Sequence, residues 1–155
     1  MCEQDQASKS SIVIGCDHAA YKLKEAIKFY LNSRGYKVDD VGTNSENSVH
    51  YPEFAIEVAK LISKGQYGRG ILLCGTGLGM SMVANRFKKV RAALCHDIFS
   101  ARLSRLHNNA NVLVMGSRVI GEGLALEIVA TWLETPFEGE RHQVRIDMFD
   151  HLQPD

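Results

Sequence analysis

Net charge, long apolar runs and paired cysteines are all missing from this chain. Its 18 Lys and Arg balance its 18 Asp and Glu, and a protein without surplus cations has no sequence-independent grip on nucleic acid or an anionic membrane. The one basic run, Arg86-Phe87-Lys88-Lys89-Val90-Arg91, reads as a solvated face. Nowhere do 18 apolar residues run together and residues 1–10 are polar, so neither a membrane span nor a secretory signal is expected. The four cysteines, at positions 2, 16, 74 and 95, form no C-x-x-C pair and have no closely spaced histidine partner of the zinc-finger type, so a structural metal site is not expected. Free thiols fit a reducing compartment, so a cytoplasmic location is the expectation. What remains is a globular composition of 155 residues, 45% hydrophobic. A single domain of that size buries roughly 68 to 70% of its unfolded surface and needs no disulfide or metal staple.

Hydrophobic patterning alternates between two periods. Ile12-Val13-Ile14-Gly15 is a short apolar run, followed by Ala19, Leu23, Ala26, Ile27, Tyr30 and Leu31 at helical spacing up to Gly35. Residues 36–41 read as a second strand, and Phe54, Ala55, Val58, Leu61 and Ile62 as a helix opened by Pro52 and closed by Gly65. Strands at 71–74, 92–95 and 112–115 follow, with helices over about 80–87, around Phe99, Leu103 and Leu106, and through Leu124, Ala125, Ile128, Val129 and Trp132. Apolar strands alternating with amphipathic helices predict an α/β fold: a Rossmann-like, doubly wound parallel sheet of about five strands in a three-layer α/β/α sandwich. The expected organisation is a polar extension over residues 1–11, one domain over 12–150 and a tail over 151–155. The segment from Pro136 onward carries Phe137, Val144, Ile146, Met148 and Phe149, too apolar to stay solvated, and is expected to pack on this domain or on a second subunit. In such sheets ligands sit beyond the carboxyl ends of the strands, so the loops at 15–18, 74–79, 96–97 and 116–121 should share one edge.

The densest chemical signal is Cys74-Gly75-Thr76-Gly77-Leu78-Gly79-Met80-Ser81, a strand-to-helix turn whose N–H groups can converge on an anion. A Walker loop would need Gly-Lys-Ser/Thr, and no lysine is present. A dinucleotide fingerprint would need a third glycine where Met80 stands, although Asp97 would suit a ribose contact. A cysteine phosphatase loop would need arginine at that same position. The residues therefore leave an oxyanion-friendly cradle beside a cysteine that serves as base or nucleophile, or else a buried structural cysteine. Asp17 and His18 could hold sugar hydroxyls, or Asp17 could cap the next helix. His107 stands at the negative end of the fourth helix, where a general acid profits, and Asn108 could be its C-cap. Arg141 and Arg145, at i and i+4, present two guanidiniums to one anion such as phosphate, or are ordinary exposed arginines. Arg118 adds a third cation at a strand end.

Taken together, Gly15-Cys16-Asp17-His18, Cys74 to Gly79, Ser104-Arg105-Leu106-His107-Asn108-Asn109-Ala110-Asn111, Met115-Gly116-Ser117-Arg118 and Gly139-Glu140-Arg141-His142-Gln143-Val144-Arg145 closely resemble the ribose-5-phosphate isomerase B family, which also includes galactose-6-phosphate isomerase subunits. The resemblance runs from about Ile12 to Phe149. It implies a metal-free aldose-ketose isomerase that works through an enediolate and uses no cofactor. On that reading Cys74 moves a proton between C1 and C2, and the turn formed by Gly75, Thr76, Gly77, Leu78 and Gly79 stabilises the oxyanion. His107 would open the sugar ring, Asp17, His18 and Asn108 would orient hydroxyls, and Arg118, Arg141 and Arg145 would hold phosphate. Some members use a glutamate base elsewhere, but the cysteine of the other branch is present here. Family members are homodimers or homotetramers with sites at a subunit interface. The expected reaction is interconversion of D-ribose 5-phosphate and D-ribulose 5-phosphate, in the non-oxidative pentose phosphate branch. The alternatives are another aldose phosphate (allose or galactose 6-phosphate, or a tetrose phosphate) and a non-catalytic sugar-phosphate or nucleotide-binding module.

Overall fold

A computed structural model describes residues 11–152; the expectations for residues 1–10, Cys2 among them, and for 153–155 lie outside that range. Five strands, β1 (Ser11–Cys16), β2 (Lys37–Asp40), β3 (Arg69–Cys74), β4 (Ala92–Leu94) and β5 (Val112–Gly116), form one sheet in the order β2-β1-β3-β5-β4. Every pairing is parallel. Six helices connect and flank the strands: α1 (Tyr21–Ser33), α2 (Tyr51–Ser63), α3 (Leu78–Ala84), α4 (Ile98–Leu106), α5 (Glu122–Glu134) and α6 (Arg141–Asp150).

The central strands β1, β3 and β5 are buried along nearly their whole length, as a strand covered on both faces requires. Alternate side chains enter separate cores. Ile12, Ile14, Ile71, Leu73, Leu113 and Met115 pack with α1, α4 and α5 around Trp132. Val13, Leu72, Val112 and Val114 pack with α2 and α3. The expected α/β/α sandwich is therefore present. Its outer strands depart from the uniform apolar pattern. β2 is polar and only half-buried, and β4 is three residues long, because each pairs on one side only.

Element limits differ from the expected ones by one to three residues. Ser11 already pairs in β1, so the core begins inside the segment assigned to the extension. The third helix starts at Leu78 and ends at Ala84, earlier than periodicity suggests, because Gly77 takes the left-handed conformation that admits the chain at its start (φ 78°). The guanidiniums of Arg69 and Arg105 lie over the buried Trp132 ring at 5.4 and 5.7 Å from its centroid, two cation-π contacts. Among the described residues, no helix is long and apolar enough to cross a membrane.

Lys24 is the most deeply buried charged side chain among the described residues. It is 1% exposed, and its Nζ donates to the Thr43 carbonyl at 2.6 Å and pairs with Asp40 at 2.8 Å. Burial opposes ionisation of Asp40, but the hydrogen bonds from Lys24 and Lys28 outweigh it and hold its carboxyl below the usual range. The pair ties the loop after β2 to α1. Lys24→Ala removes the buried cation and leaves the Thr43 carbonyl unpaired, and is expected to cost about 2 to 3 kcal/mol. Urea unfolding reads this directly, and a change within about 0.5 kcal/mol, the ordinary surface range, would contradict it.

Candidate active site

With all strands parallel, the chain leaves each strand at one edge of the sheet and returns along a helix to the other. Cys74 ends β3 and pairs in register with Gly116 at the end of β5. It is 5% exposed, and the Gly77 N–H donates to its Sγ at 3.1 Å. The turn closes further where the Leu78 N–H donates to Thr76 Oγ1 at 3.3 Å. Arg118 donates its N–H to the Gly75 carbonyl at 2.9 Å and lays its side chain over Gly75. Gly116 abuts the backbone of Thr76, where a Cβ would stand 2.5 Å from the Thr76 carbonyl carbon.

Asp17 and His18 stand at the same edge, after β1. Asp17 is buried and its Oδ1 accepts from the Ala19 N–H at 3.0 Å, capping a short 3-10 turn at His18–Ala20. The capping role considered from sequence is thus real. His18 Nδ1 accepts from the Val49 N–H at 3.2 Å, which places its proton on Nε2. Asp97 caps α4, with both carboxylate oxygens taken by Ser100, so it serves the helix start rather than a ribose.

His107, Asn108, Arg141 and Arg145 stand elsewhere. α4 begins at the carboxyl edge and delivers His107, its C-cap, to the opposite edge. There the Arg91 Nε, next to the start of β4, donates to the Asn109 carbonyl, and the Gly70 N–H at the start of β3 donates to the Asn111 carbonyl. At a rise of about 3.3 Å per residue, the span from Gly70 to Cys74 puts roughly 13 Å of strand between the two groups. Arg141 and Arg145 are both exposed on α6, with the expected i, i+4 spacing. One chain therefore carries two half-constellations: Asp17, His18, Cys74 to Gly79 and Arg118 on one edge, and His107, Asn108, Arg141 and Arg145 towards the other.

Sequence reasoning passed over four residues that touch these groups. His96 accepts the Gly116 N–H on its Nε2 at 2.9 Å, bracing the strand end behind Thr76. Tyr51 packs on Gly79 so closely that a Cβ there would lie 2.4 Å from its ring. His142, 5% exposed, stacks on His107 with ring centroids 4.2 Å apart. Glu138 reaches both rings, at 3.8 Å from His107 Nε2 and 3.3 Å from His142 Nε2, and Arg141 at 3.6 Å. Burial, with His107 and Arg141 adding to it and Glu138 opposing, pushes the His142 pKa down. His142 sat inside a motif read for its arginines alone, and His96 offered no spacing signal.

The class this describes is an α/β enzyme with a cysteine-ended glycine turn over a parallel sheet. Residues 12–149 match the Ribose/Galactose Isomerase family. The chain is 47% identical to the Ribose-5-phosphate isomerase B of Escherichia coli, covering 92% of this chain and 95% of that one. It is 49% identical to the D-erythrulose-4-phosphate isomerase of Pectobacterium atrosepticum, with the same coverages. A crystal structure of the Thermotoga maritima ribose 5-phosphate isomerase superposes with a TM-score of 0.89 at 53% identity, over 92% of this chain and 98% of that one. The Mycoplasma genitalium Ribose-5-phosphate Isomerase B, solved with bound ribulose-5-phosphate, gives 0.87 at 41% identity, over 90% and 93%. The protein belongs to the Ribose/Galactose Isomerase family and is a sugar phosphate isomerase of the ribose-5-phosphate isomerase B type.

Two outcomes follow from the geometry. Gly116→Ala drives a methyl into the Thr76 backbone and displaces the turn, so kcat/KM for the sugar phosphate substrate should fall about 100-fold in a variant whose circular dichroism is unchanged; undiminished activity would contradict this. Burial lowers the His96 pKa against the opposing Asp97. Its contribution to stability is therefore complete above about pH 6.5, the unfolded value, and is lost as pH falls through the folded one. His96→Gln keeps an acceptor that does not titrate, and should flatten the acid limb of unfolding free energy against pH. An unchanged limb would contradict the His96 account.

Proposed function

We propose that the protein interconverts D-ribose 5-phosphate and D-ribulose 5-phosphate through an enediolate, with Cys74 as the base. The observation that carries this reading is the Cys74 thiol at the end of β3, accepting the Gly77 N–H under a turn of three glycines. A thiolate there removes the proton from C2 of the open aldose, and the electron pair left behind forms the C1–C2 double bond while O1 gains a proton. The Cys74 thiol, its proton free to exchange with solvent, then protonates C1 as O2 gives up its proton and becomes the ketone carbonyl, so nothing is oxidised overall. N–H groups of the turn stabilise the oxyanion. His107 protonates the ring oxygen to open the sugar, Asp17, His18 and Asn108 orient hydroxyls, and Arg118, Arg141 and Arg145 hold the phosphate.

These roles require Cys74 and His107 to meet on one substrate, which one chain does not allow. A second copy supplies the missing half. Support comes from α6, whose Val144, Met148 and Phe149 are exposed, and from exposed Leu78 and Met82 on α3. Between them lies an open cleft of 1090 Å³ whose lining includes Met82, Asn108 and Phe149. The apolar C-terminal segment was expected to pack on this domain or on a second subunit, and a homodimer is the smallest assembly that completes the site.

The assay is conversion of ribose 5-phosphate at neutral pH with chelator present, by wild type and Cys74→Ala. The variant should lose about 100-fold or more, and the wild-type reaction in D2O should place deuterium at C1 of the ribulose phosphate. The relative from Pectobacterium atrosepticum carries the name of a tetrose phosphate isomerase, so four- and six-carbon phosphates belong in the same assay. Turnover of one of those alone would change the substrate, and failure with all of them would leave a sugar-phosphate binding module.

A further inference from the structure

The His107, Glu138 and His142 cluster has a feature that ring opening does not use. Among the described residues it is the group of His, Cys, Asp and Glu side chains whose ligand atoms come together, all within 4.8 Å of one another. His142 Nε2 is buried and makes no hydrogen bond, although Glu138 Oε2 lies 3.3 Å away. A buried imidazole nitrogen turned towards a carboxylate without bonding to it is a lone pair or proton with no partner, which native interiors rarely leave. Bonds of about 2.0 Å to a tetrahedral ion place neighbouring ligand atoms about 3.3 Å apart. His142 and Glu138 already stand at that separation. His107 Nε2 lies 3.8 Å from the same oxygen, within a set that spans at most 4.8 Å, so His107 is the ligand that must move to complete the site.

We propose that His107, Glu138 and His142 bind a divalent transition-metal ion of the zinc class, and that the bound ion switches the isomerase off by occupying the His107 imidazole. Two imidazole nitrogens and a carboxylate oxygen are the donor set such ions prefer, with the fourth position left to water. The local structure is suited to it. His142 is fixed in the first turn of α6, and Glu138 is held by its own N–H on the Leu106 carbonyl at 3.0 Å. His107 is half-exposed and free to turn out of its stack, which it must do, since parallel rings cannot both point at one ion. Arg141, 3.6 Å from the second Glu138 oxygen, and Arg145 oppose the added positive charge. They keep the affinity modest and the inhibition reversible.

The inhibitory half of the proposal rests on the catalytic role given to His107, whereas the site itself does not. The test therefore starts with binding of zinc alone to tag-free protein, by competition with a chromogenic chelator at neutral pH. Cys74→Ala is run in parallel to remove the most exposed thiol among the described residues. One zinc per chain in both proteins, weakened at least about tenfold by Glu138→Gln and by His142→Gln, is the expected result. Circular dichroism and urea unfolding check the variants, and Glu138→Gln, altered at an exposed position, carries the test should His142→Gln fail to fold. Zinc should inhibit wild-type turnover, chelator should restore it, and Glu138→Gln should need about tenfold more zinc for the same fractional loss. Binding lost in Cys74→Ala but kept in Glu138→Gln would assign the ion to the thiol and overturn the proposal, as would no binding at all. Site-specific binding by a chain that turns over no sugar phosphate would instead keep the site and remove the isomerase reading.

Discussion

Strand polarity is the constraint on which the rest of this structure depends. Because all five strands run the same way, every strand-to-helix turn falls on one edge and every helix-to-strand return on the other. Cys74, Asp17, His18 and Arg118 follow strands, and so gather. His107 and Asn108 end a helix, and so stand apart. No side-chain rotation brings them across the sheet, so an activity that needs both a thiol base and an imidazole acid needs two chains. The exposed apolar residues of α3 and α6 then belong to the same account as the chemistry.

The glycine turn after β3 is rigid for reasons of space more than of hydrogen bonding. Gly77 takes a left-handed conformation beside Leu94, Gly116 leaves no room over Thr76, and Gly79 receives the Tyr51 ring. Each glycine is where it is because a neighbour comes too close for a side chain. His96 adds a polar brace from a strand away. The sulfur is thus held by a frame that is costly to distort, which suits the proposed role of Cys74 as a base aimed at a substrate carbon.

Much of this was legible in the sequence. The apolar runs at 12–15, 71–74 and 112–115 are buried strands, and their glycine-ended turns mark the functional edge. β2 was harder, since an edge strand with one paired side tolerates Lys37, Asp39 and Asp40 and shows little apolar pattern. His96 carried no spacing signal because its partner, Gly116, is distant along the chain; Glu138 and His142 stand at i and i+4, but the stacked His107 that completes their cluster is distant in sequence. Nor does hydrophobic period alone say that a helix carries its last residue to the far edge of the sheet. That follows only once the strands are known to be parallel, and the proposed two-chain site rests on it.

The most direct test of the two-chain site mixes two inactive proteins. Cys74→Ala retains the His107 half and His107→Asn retains the Cys74 half, so chains exchanged by dilution and reassociation yield mixed dimers with one intact site and one doubly damaged one. At equal amounts, random pairing predicts recovery of about a quarter of the wild-type activity. A mixture that stays as inactive as its parents, although chain exchange is verified by mass, would mean that Cys74 and His107 act within one chain and would contradict the account.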